Sequence, residues 1–546
     1  MQSSSSKIRL FLSAKNFPSS NCVKISLYEG YNSAPTTTTV TEKVEGNPNP
    51  QYLTTAVIDY QFHTLQSLTF ELIDLNNTSS SKKVSCLVAD LLRAHVQTLT
   101  LEFADQNKKG PFPSLIVKAE ASSGGSEVVT LNFAGQYTNP GWCCFRPTTQ
   151  LTLWRSMESS KGSNWQKVAE THRITSSMPN WSSLKVDLDL LTGNDYYRPI
   201  KVTVTKTPFF GFRYELGSFE FTLNDIFGQP DTSITETSEK YPLLAEKDLK
   251  FSINDPRVQN NALKLRLASA KIVSVVKFEE HLMKGTEISL IAAIDFTASN
   301  IGQQYSRSLH YVGAKKTPYE QALEPISEIL VSYDTDKMVP LYGFGAGSPG
   351  SPVSHCFPLN GDKDSPEVCG VKGITETYRN ALRNLSFSGP TKFSPLLRET
   401  IDTISKELKG LKKLRYYVLV ILTDGQICDR QETIDQIVRA TYEVPLSIVI
   451  VGIGNGPFGT MNELDADEQP LVDSKGRRAL SDIVQFVEFR KFQNDGTRLA
   501  AEVLEEIPRQ LEDCFASRSI FPGDNWHTRR SKNSEISYNK GKAKAE

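Results

Sequence analysis

Ile288-Ser289-Leu290-Ile291-Ala292-Ala293-Ile294-Asp295-Phe296-Thr297-Ala298-Ser299 is the stretch on which the fold turns. The apolar run Ile288–Ile294 has the length of a strand buried on both faces, and it stops at a carboxylate followed by two spaced hydroxyls. A helical stripe comes next, through Tyr319, Ala322, Leu323, Ile326 and Ile329. Two more stripes carry Tyr378, Ala381, Leu382 and Leu385, then Leu397, Ile401, Ile404 and Leu408. Ser394-Pro395 reads as an N-cap followed by proline at the first helical position. Apolar run Tyr416–Leu422 precedes a helix with Ile434, Ile437 and Val438. Run Leu446–Val451 follows Pro445, and Val484–Phe489 precedes a last helix through Leu499, Val503, Ile507 and Leu511. Strands alternating with helices predict a doubly wound, Rossmann-like α/β domain with a parallel sheet, which binds ligands at the carboxyl ends of its strands.

Upstream of residue 285 the texture changes. Short runs of period two, among them Lys7–Ser13, Val23–Tyr28, Ser67–Ile73, Leu115–Ala119, Leu151–Trp154, Leu184–Leu188, Ile200–Thr205 and Leu263–Leu267, are split by Ser, Thr, Asn, Gly and Pro clusters. That pattern predicts all-β sandwiches, and roughly 265 residues is room for two of them. Ser122-Ser123-Gly124-Gly125-Ser126 reads as the linker between them. The expected domains are 5–121 and 126–268 for the sandwiches, 285–515 for the α/β domain and 516–546 for a disordered basic tail, whose residues 527–546 hold six Lys/Arg against two Glu.

In a parallel sheet the loops after Asp295, after Thr423-Asp424-Gly425 and at Gly389-Pro390-Thr391 open on one edge. Asp295, Thr297, Ser299, Thr391 and Asp424 together supply two carboxylates and three hydroxyls, hard oxygens suited to Mg²⁺ or Mn²⁺. Asp295 and Thr297 alone would do no more than cap the next helix; Thr391 and Asp424 in matching places make them a metal site.

The chain here resembles the von Willebrand factor A domain of the copines. The likeness runs from Asp295-Phe296-Thr297-Ala298-Ser299-Asn300 and Ser308-Leu309-His310-Tyr311 through Tyr333-Asp334-Thr335-Asp336-Lys337-Met338, Gly343-Phe344-Gly345-Ala346 and Phe357-Pro358-Leu359-Asn360-Gly361. It continues through Gly389-Pro390-Thr391 and Thr423-Asp424-Gly425 to Asp482–Val487, covering about residues 270–520. The resemblance implies two N-terminal C2 domains that bind anionic phospholipid, usually with calcium. It implies an A domain that recruits protein partners through a metal-ion-dependent adhesion site (Asp295, Thr297, Ser299, Thr391, Asp424) gripping a partner's acidic residue. A non-enzymatic adaptor in membrane trafficking and signalling follows, cytoplasmic and peripherally associated with plasma membrane or endomembranes. Thr297 stands where integrin-type A domains have serine, and the hydroxyl is kept.

The C2 tips depart from the calcium-binding pattern, which needs several carboxylates at one end. Lys15–Asn21 has no acid, and its partner loop Ile73-Asp74-Leu75-Asn76-Asn77 offers only Asp74. Ala134–Pro147 and Lys206–Tyr214 have none, so any calcium site is expected to be weak or lost. Trp142, Phe145 and Arg146 on one loop, with Phe209, Phe210, Phe212 and Arg213 on the other, suit calcium-independent insertion into an anionic interface.

Composition narrows the classes further. The 546 residues are 39% hydrophobic and 23% charged, and 61 Lys+Arg against 62 Asp+Glu give a net charge of −1, with no basic excess for nucleic acid. No apolar run approaches the ~20 residues of a membrane span, and MQSSSSKIRL lacks a signal-peptide core. Eight scattered cysteines read as reduced thiols. Gly454-Asn455-Gly456-Pro457-Phe458-Gly459 matches a dinucleotide fingerprint, but it lies late in the domain and no acid ends the next strand at the required distance. The rival reading is a metal-dependent phosphatase using Asp295 and Asp424; that chemistry wants an acid two residues after the nucleophile, where Thr297 stands.

Overall fold

Alternation in the first strand, Ser6–Lys15, turns Ile8, Leu10, Leu12 and Ala14 inward and leaves the residues between them on the outer face. The computed structural model describes residues 6–526 apart from 31, 33, 78–80, 105–111, 122–125, 139–147, 158–163, 194, 209–211, 228–249, 255–256, 258–261, 301–304, 466–469, 493–494, 519 and 525. Of the expected linker, residues 122–125 lie outside the described residues and Ser126 opens a strand. The expected tail at 516–546 starts too early: Ala516 and Ser517 close the helix Ile507–Ser517, and Ile520 and Trp526 are buried apolar residues of the core; residues beyond 526 lie outside the described residues.

The first sandwich has two antiparallel four-stranded sheets. One orders Ala56–Tyr60, Ser6–Lys15, Ser114–Ala121 and Thr98–Glu102; the other orders Thr37–Val40, Asn21–Glu29, Gln66–Asp74 and Ser81–Leu87. In the second sandwich Trp165–Glu170, Thr148–Ser156, Ile200–Thr207 and Tyr214–Phe221 face a sheet of Leu184–Asp187, Ser126–Tyr137, Ala262–Val275 and Lys250–Asn254. Its core holds Phe133, Leu151, Leu153, Val202 and Leu265. Strand Ala262–Val275 pairs as far as Val275 with Ser126, past the expected limit at 268. A register shift between Leu267 and Ser269 offsets the alternation there and hides the continuation from a period-two reading.

The α/β body carries β1 (Glu287–Asp295), α1 (Pro318–Ser332), β2 (Met338–Phe344), α2 (Gly370–Leu382), α3 (Ser394–Glu407), β3 (Arg415–Thr423), α4 (Arg430–Glu443), β4 (Leu446–Gly452), β5 (Val484–Glu488), α5 (Gly496–Leu504) and α6 (Ile507–Ser517). The five strands are parallel in the order β2-β1-β3-β4-β5. The order reverses between β1 and β3, and in doubly wound sheets that crevice is where ligands bind. Residues of β1 alternate between the two faces: Ile294 meets α1, and Ser289 and Ile291 lie beneath α3. α1 packs on α2 and α5, and α3 packs on α4.

Local signals explain the helix ends, with two corrections. α1 starts on a capping box: Glu320 N–H donates to Thr317 Oγ1 (3.1 Å) and Thr317 N–H to the Glu320 carboxylate (2.8 Å). Ser394 is not the N-cap of α3 but its first residue. The Phe393 and Ser394 amides donate instead to the carboxylate of Asp429 (3.1 and 2.8 Å), a cap supplied from a distant loop. The last stripe is two helices, because Pro508 starts a new one at its first turn, where its missing N–H costs nothing. Among the described residues no helix is long and apolar enough to cross a membrane.

The chain divides into two compact units: the first sandwich together with the α/β body, and the second sandwich. In the former the apolar cores of sandwich and α/β body are continuous.

Candidate metal centre

β1 and β3 are neighbours, so their carboxyl ends bring Asp295 beside Thr423-Asp424. Asp295 is completely buried. Its Oδ2 accepts from Thr423 Oγ1 (2.6 Å); its Oδ1 accepts from the Thr297 amide (2.8 Å) and, more weakly, from Asn300 Nδ2 (3.5 Å). Both oxygens are committed, so Asp295 shapes the loop from below.

Above it runs a file of oxygens. Ser299 Oγ donates to Asp424 Oδ1 (2.8 Å), Thr297 Oγ1 lies 3.0 Å from Ser299 Oγ, and Thr391 Oγ1 donates to Thr297 Oγ1 (3.4 Å). Since Ser299 spends its proton on Asp424, the remaining protons point the same way along the file. All five residues expected at the site are gathered here. The donor set fits a hard divalent cation: three hydroxyls and a carboxylate, all oxygen. Clusters of three or more His, Cys, Asp or Glu suited to a metal do not occur among the described residues.

The electrostatics agree. Burial pushes Asp295 above the usual carboxylate range, against the pull of its bonds from Thr297 and Thr423. Asp424 is pushed up to about 7 by burial and by the Asp295 charge, with Ser299 pulling the other way. Two carboxylates in one dry crevice resist ionising together, and a cation relieves that conflict.

Neighbouring backbone sets the geometry. A Cβ on Gly345, whose φ is +77°, would strike Thr297 Cγ2, and one on Gly456 would strike the Asp424 carbonyl oxygen. Gly456 of the dinucleotide-like stretch thus lets a loop pass close to the backbone at the end of β3. Cys428 N–H donates to the Thr391 carbonyl (3.0 Å), tying the Thr391 loop to the segment after Asp424.

His310 carries a role the sequence did not reveal. Its Nε2 lies 2.8 Å from the Asp295 carbonyl oxygen and its Nδ1 2.7 Å from Tyr378 Oη. A carbonyl only accepts, so Nε2 holds the proton and Nδ1 accepts from Tyr378. The ring stacks between Phe296 (5.0 Å) and Tyr319 (4.1 Å), and burial pushes its pKa down to about 3. Tyr319 in turn donates to Asn300 Oδ1 (2.7 Å). His310, Thr423, Asn300 and Asp429 are positioning residues for the loops. His310 and Asn300 stand inside the quoted motifs, but only contacts between distant segments reveal what they do.

At the sandwich tips the picture is partial. Asn21 pairs with Asp74, and Leu75 N–H donates to the Ser20 carbonyl (3.0 Å), so the two candidate loops share one end. Asp74 Oδ1 accepts from Asn76 N–H (2.9 Å). In the second sandwich Thr148 pairs with Thr207, so the described strands that flank the two candidate loops end side by side. Trp142, Phe145, Arg146, Phe209 and Phe210 lie outside the described residues. Phe212 is 90% exposed, and Arg213 bonds back to Thr205 Oγ1 (3.2 and 2.9 Å).

Two antiparallel sandwiches and a doubly wound domain with an oxygen-lined crevice define a modular class of protein. The family model described as Copine matches residues 308–523. Three relatives from Dictyostelium discoideum align over most of the chain. Copine-C is 31% identical over 511 residues (88% of this chain and 88% of the relative), Copine-A is 32% identical (86% and 76%), and Copine-E is 31% identical (88% and 80%). The chain belongs to the copine family.

Proposed function

We propose that this copine is a non-enzymatic, peripheral-membrane adaptor. Its sandwiches act as C2 domains on anionic phospholipid, and its α/β body acts as a von Willebrand factor A domain that takes up a partner's acidic residue. The observation that carries the second half is the file Thr391–Thr297–Ser299–Asp424 at the β1/β3 crevice. Thr297, Ser299 and Thr391 would hold Mg²⁺ or Mn²⁺, with Asp424 and Asp295 acting through hydrogen bonds or water. Such an ion supplies an open position that favours an incoming carboxylate. The chain's own part is to orient the three hydroxyls and to keep the site negative. A pull-down from cell extract with wild type and Asp424→Ala, each with and without EDTA, tests this. Partners held only by wild type without EDTA support it; equal retention in all four arms means a purely structural centre.

The lipid half rests on family membership and on loops that share one sandwich end. With Asp74 as the lone carboxylate of its loop pair, membrane binding should need little or no calcium. The phosphatase reading is disfavoured because Asp295 is wholly buried with both oxygens bonded, so it offers no free nucleophile. Hydrolysis of a generic phosphate ester that disappears in Asp295→Asn would reinstate it.

A further inference from the structure

At the amino ends of the strands, on the opposite edge of the sheet from the oxygen file, lies a cavity of about 290 Å³. Its floor is made by alternate residues of three adjacent strands: Pro340 and Tyr342 of β2, Ser289 and Ile291 of β1, Arg415 and Tyr417 of β3. Its roof is one face of α3, with Thr400, Thr403, Ile404 and Glu407 at helical spacing. Floor and roof are tied where Tyr417 Oη donates to Glu407 Oε2 (2.6 Å).

The pocket opens to solvent beside the exposed Asp336 and Met338, and buried polar groups as well as apolar walls line it. Thr400 Oγ1, on a residue 1% exposed, has no hydrogen-bond partner among the described residues. The size is at the lower end of the ~300–1,000 Å³ of small-molecule sites, which likewise combine apolar walls with a few converging polar groups.

Charge selects the ligand. Glu407, Glu367 and Asp336 line the space, and the one lining cation, Arg415, is already bonded to Glu287 (2.8 Å) and lies 3.7 Å from Asp336. Asp334, beside Ser289 and Arg415, is pushed up to about 6 by burial, against the pull of Ser289, with Asp336 and Glu287 adding to the rise. Tyr342 is raised by burial and by neighbouring charges that include Glu367 and Glu407. An anion has no place here, whereas an ammonium group meets carboxylates, hydroxyl acceptors and the faces of Tyr342 and Tyr417.

We propose that this cavity is a binding site for a small organic cation, a primary amine carrying one flat apolar ring. The amine sits among Glu407, Glu367 and the Thr400 hydroxyl, and the ring lies against Tyr342, Tyr417 and Ile404. Nothing in it depends on the metal centre.

The test is saturation-transfer NMR and calorimetry on the full chain in chelator, with phenethylamine as probe and 2-phenylethanol as its neutral counterpart. Wild type should bind the amine saturably and the alcohol at least about five-fold more weakly. Glu407→Gln keeps an acceptor for Tyr417, so it should fold normally while weakening the amine about three- to five-fold and leaving the alcohol unchanged. Thr400→Leu fills the space and should abolish binding of both; if it fails to fold, Glu407→Gln decides alone. No saturable amine binding (a cavity holding solvent only), equal binding of amine and alcohol, or an unchanged amine affinity in Glu407→Gln would each overturn the proposal.

Discussion

Tyr60 and Tyr333 meet hydroxyl to hydroxyl at 2.8 Å across 273 residues of sequence, both buried. Tyr60 ends a strand of the first sandwich, and Tyr333 follows the last turn of α1. Phe62 packs beside them, its ring 4.7 Å from Phe278 and 4.9 Å from Tyr333. The contact is apolar around this polar pair, and Gln97 Nε2 adds a hydrogen bond to the Met283 carbonyl, which resembles a domain core more than a transient contact.

The first sandwich and the α/β body should therefore unfold together. Phe62→Ala removes the ring between Phe278 and Tyr333 and should cost ~3–5 kcal/mol. Calorimetry of the full chain should show one transition for this unit in wild type and a split transition in the variant. Two separate transitions already present in wild type would contradict the shared core.

Mn²⁺ binding should need the hydroxyl file. Thr391→Val keeps the shape and removes one oxygen, and Mn²⁺ affinity by calorimetry should fall about ten-fold or more. Asp295→Ala should lose more, because it frees the loop that presents Thr297 and Ser299. Equal affinity in wild type and Asp295→Ala would remove the metal assignment.

Gly456→Ala alters no candidate ligand, yet its Cβ would press on the Asp424 carbonyl oxygen. Mn²⁺ affinity should drop while the far-ultraviolet circular dichroism stays at the wild-type value. Unchanged affinity would mean the loop after β4 does not set the position of Asp424.

Acid should weaken the fold through buried histidines. His281 is 1% exposed, its Nδ1 has no hydrogen-bond partner among the described residues, and burial pushes its pKa down to about 4. A depressed folded-state pKa means the unfolded chain binds the proton first. The stability is complete above about pH 6.5 and is lost as pH falls toward 4. Between pH 7 and 5 this one group accounts for about 2 kcal/mol. Denaturant melts of wild type and His281→Phe across that range should show a shallower acid loss in the variant. Parallel curves would place the acid sensitivity elsewhere.

Anionic liposomes should pull down the protein in chelator almost as well as in calcium. Phe209→Ser, Phe210→Ser and Phe212→Ser combined should abolish most of that binding, at ~1–2 kcal/mol per interfacial ring. Sedimentation of wild type only in micromolar calcium would show that the carboxylate count at the tips misleads. A calcium-free binder indifferent to the triple change would move the contact away from this tip.

The sequence by itself determined the class of each half, because hydrophobic period is local: two along Ser6–Lys15, strand-length runs at β1, β3 and β4, and helical stripes between them. It also placed the five oxygen-bearing residues at one edge, since parallel strands end on the same side. Local pattern could not show which oxygens act and which support. Asp295 is bound on both oxygens by Thr297 and Thr423, and the latter partner is 128 residues away. His310, scattered by its position in the chain, holds the Asp295 carbonyl through a ring packed by three segments. Only tertiary structure joined Tyr60 to Tyr333, gave α3 its cap from Asp429, and formed a pocket between three strands and one helix. Each of these depends on distances between groups far apart in the chain, which side-chain packing sets and no local period encodes.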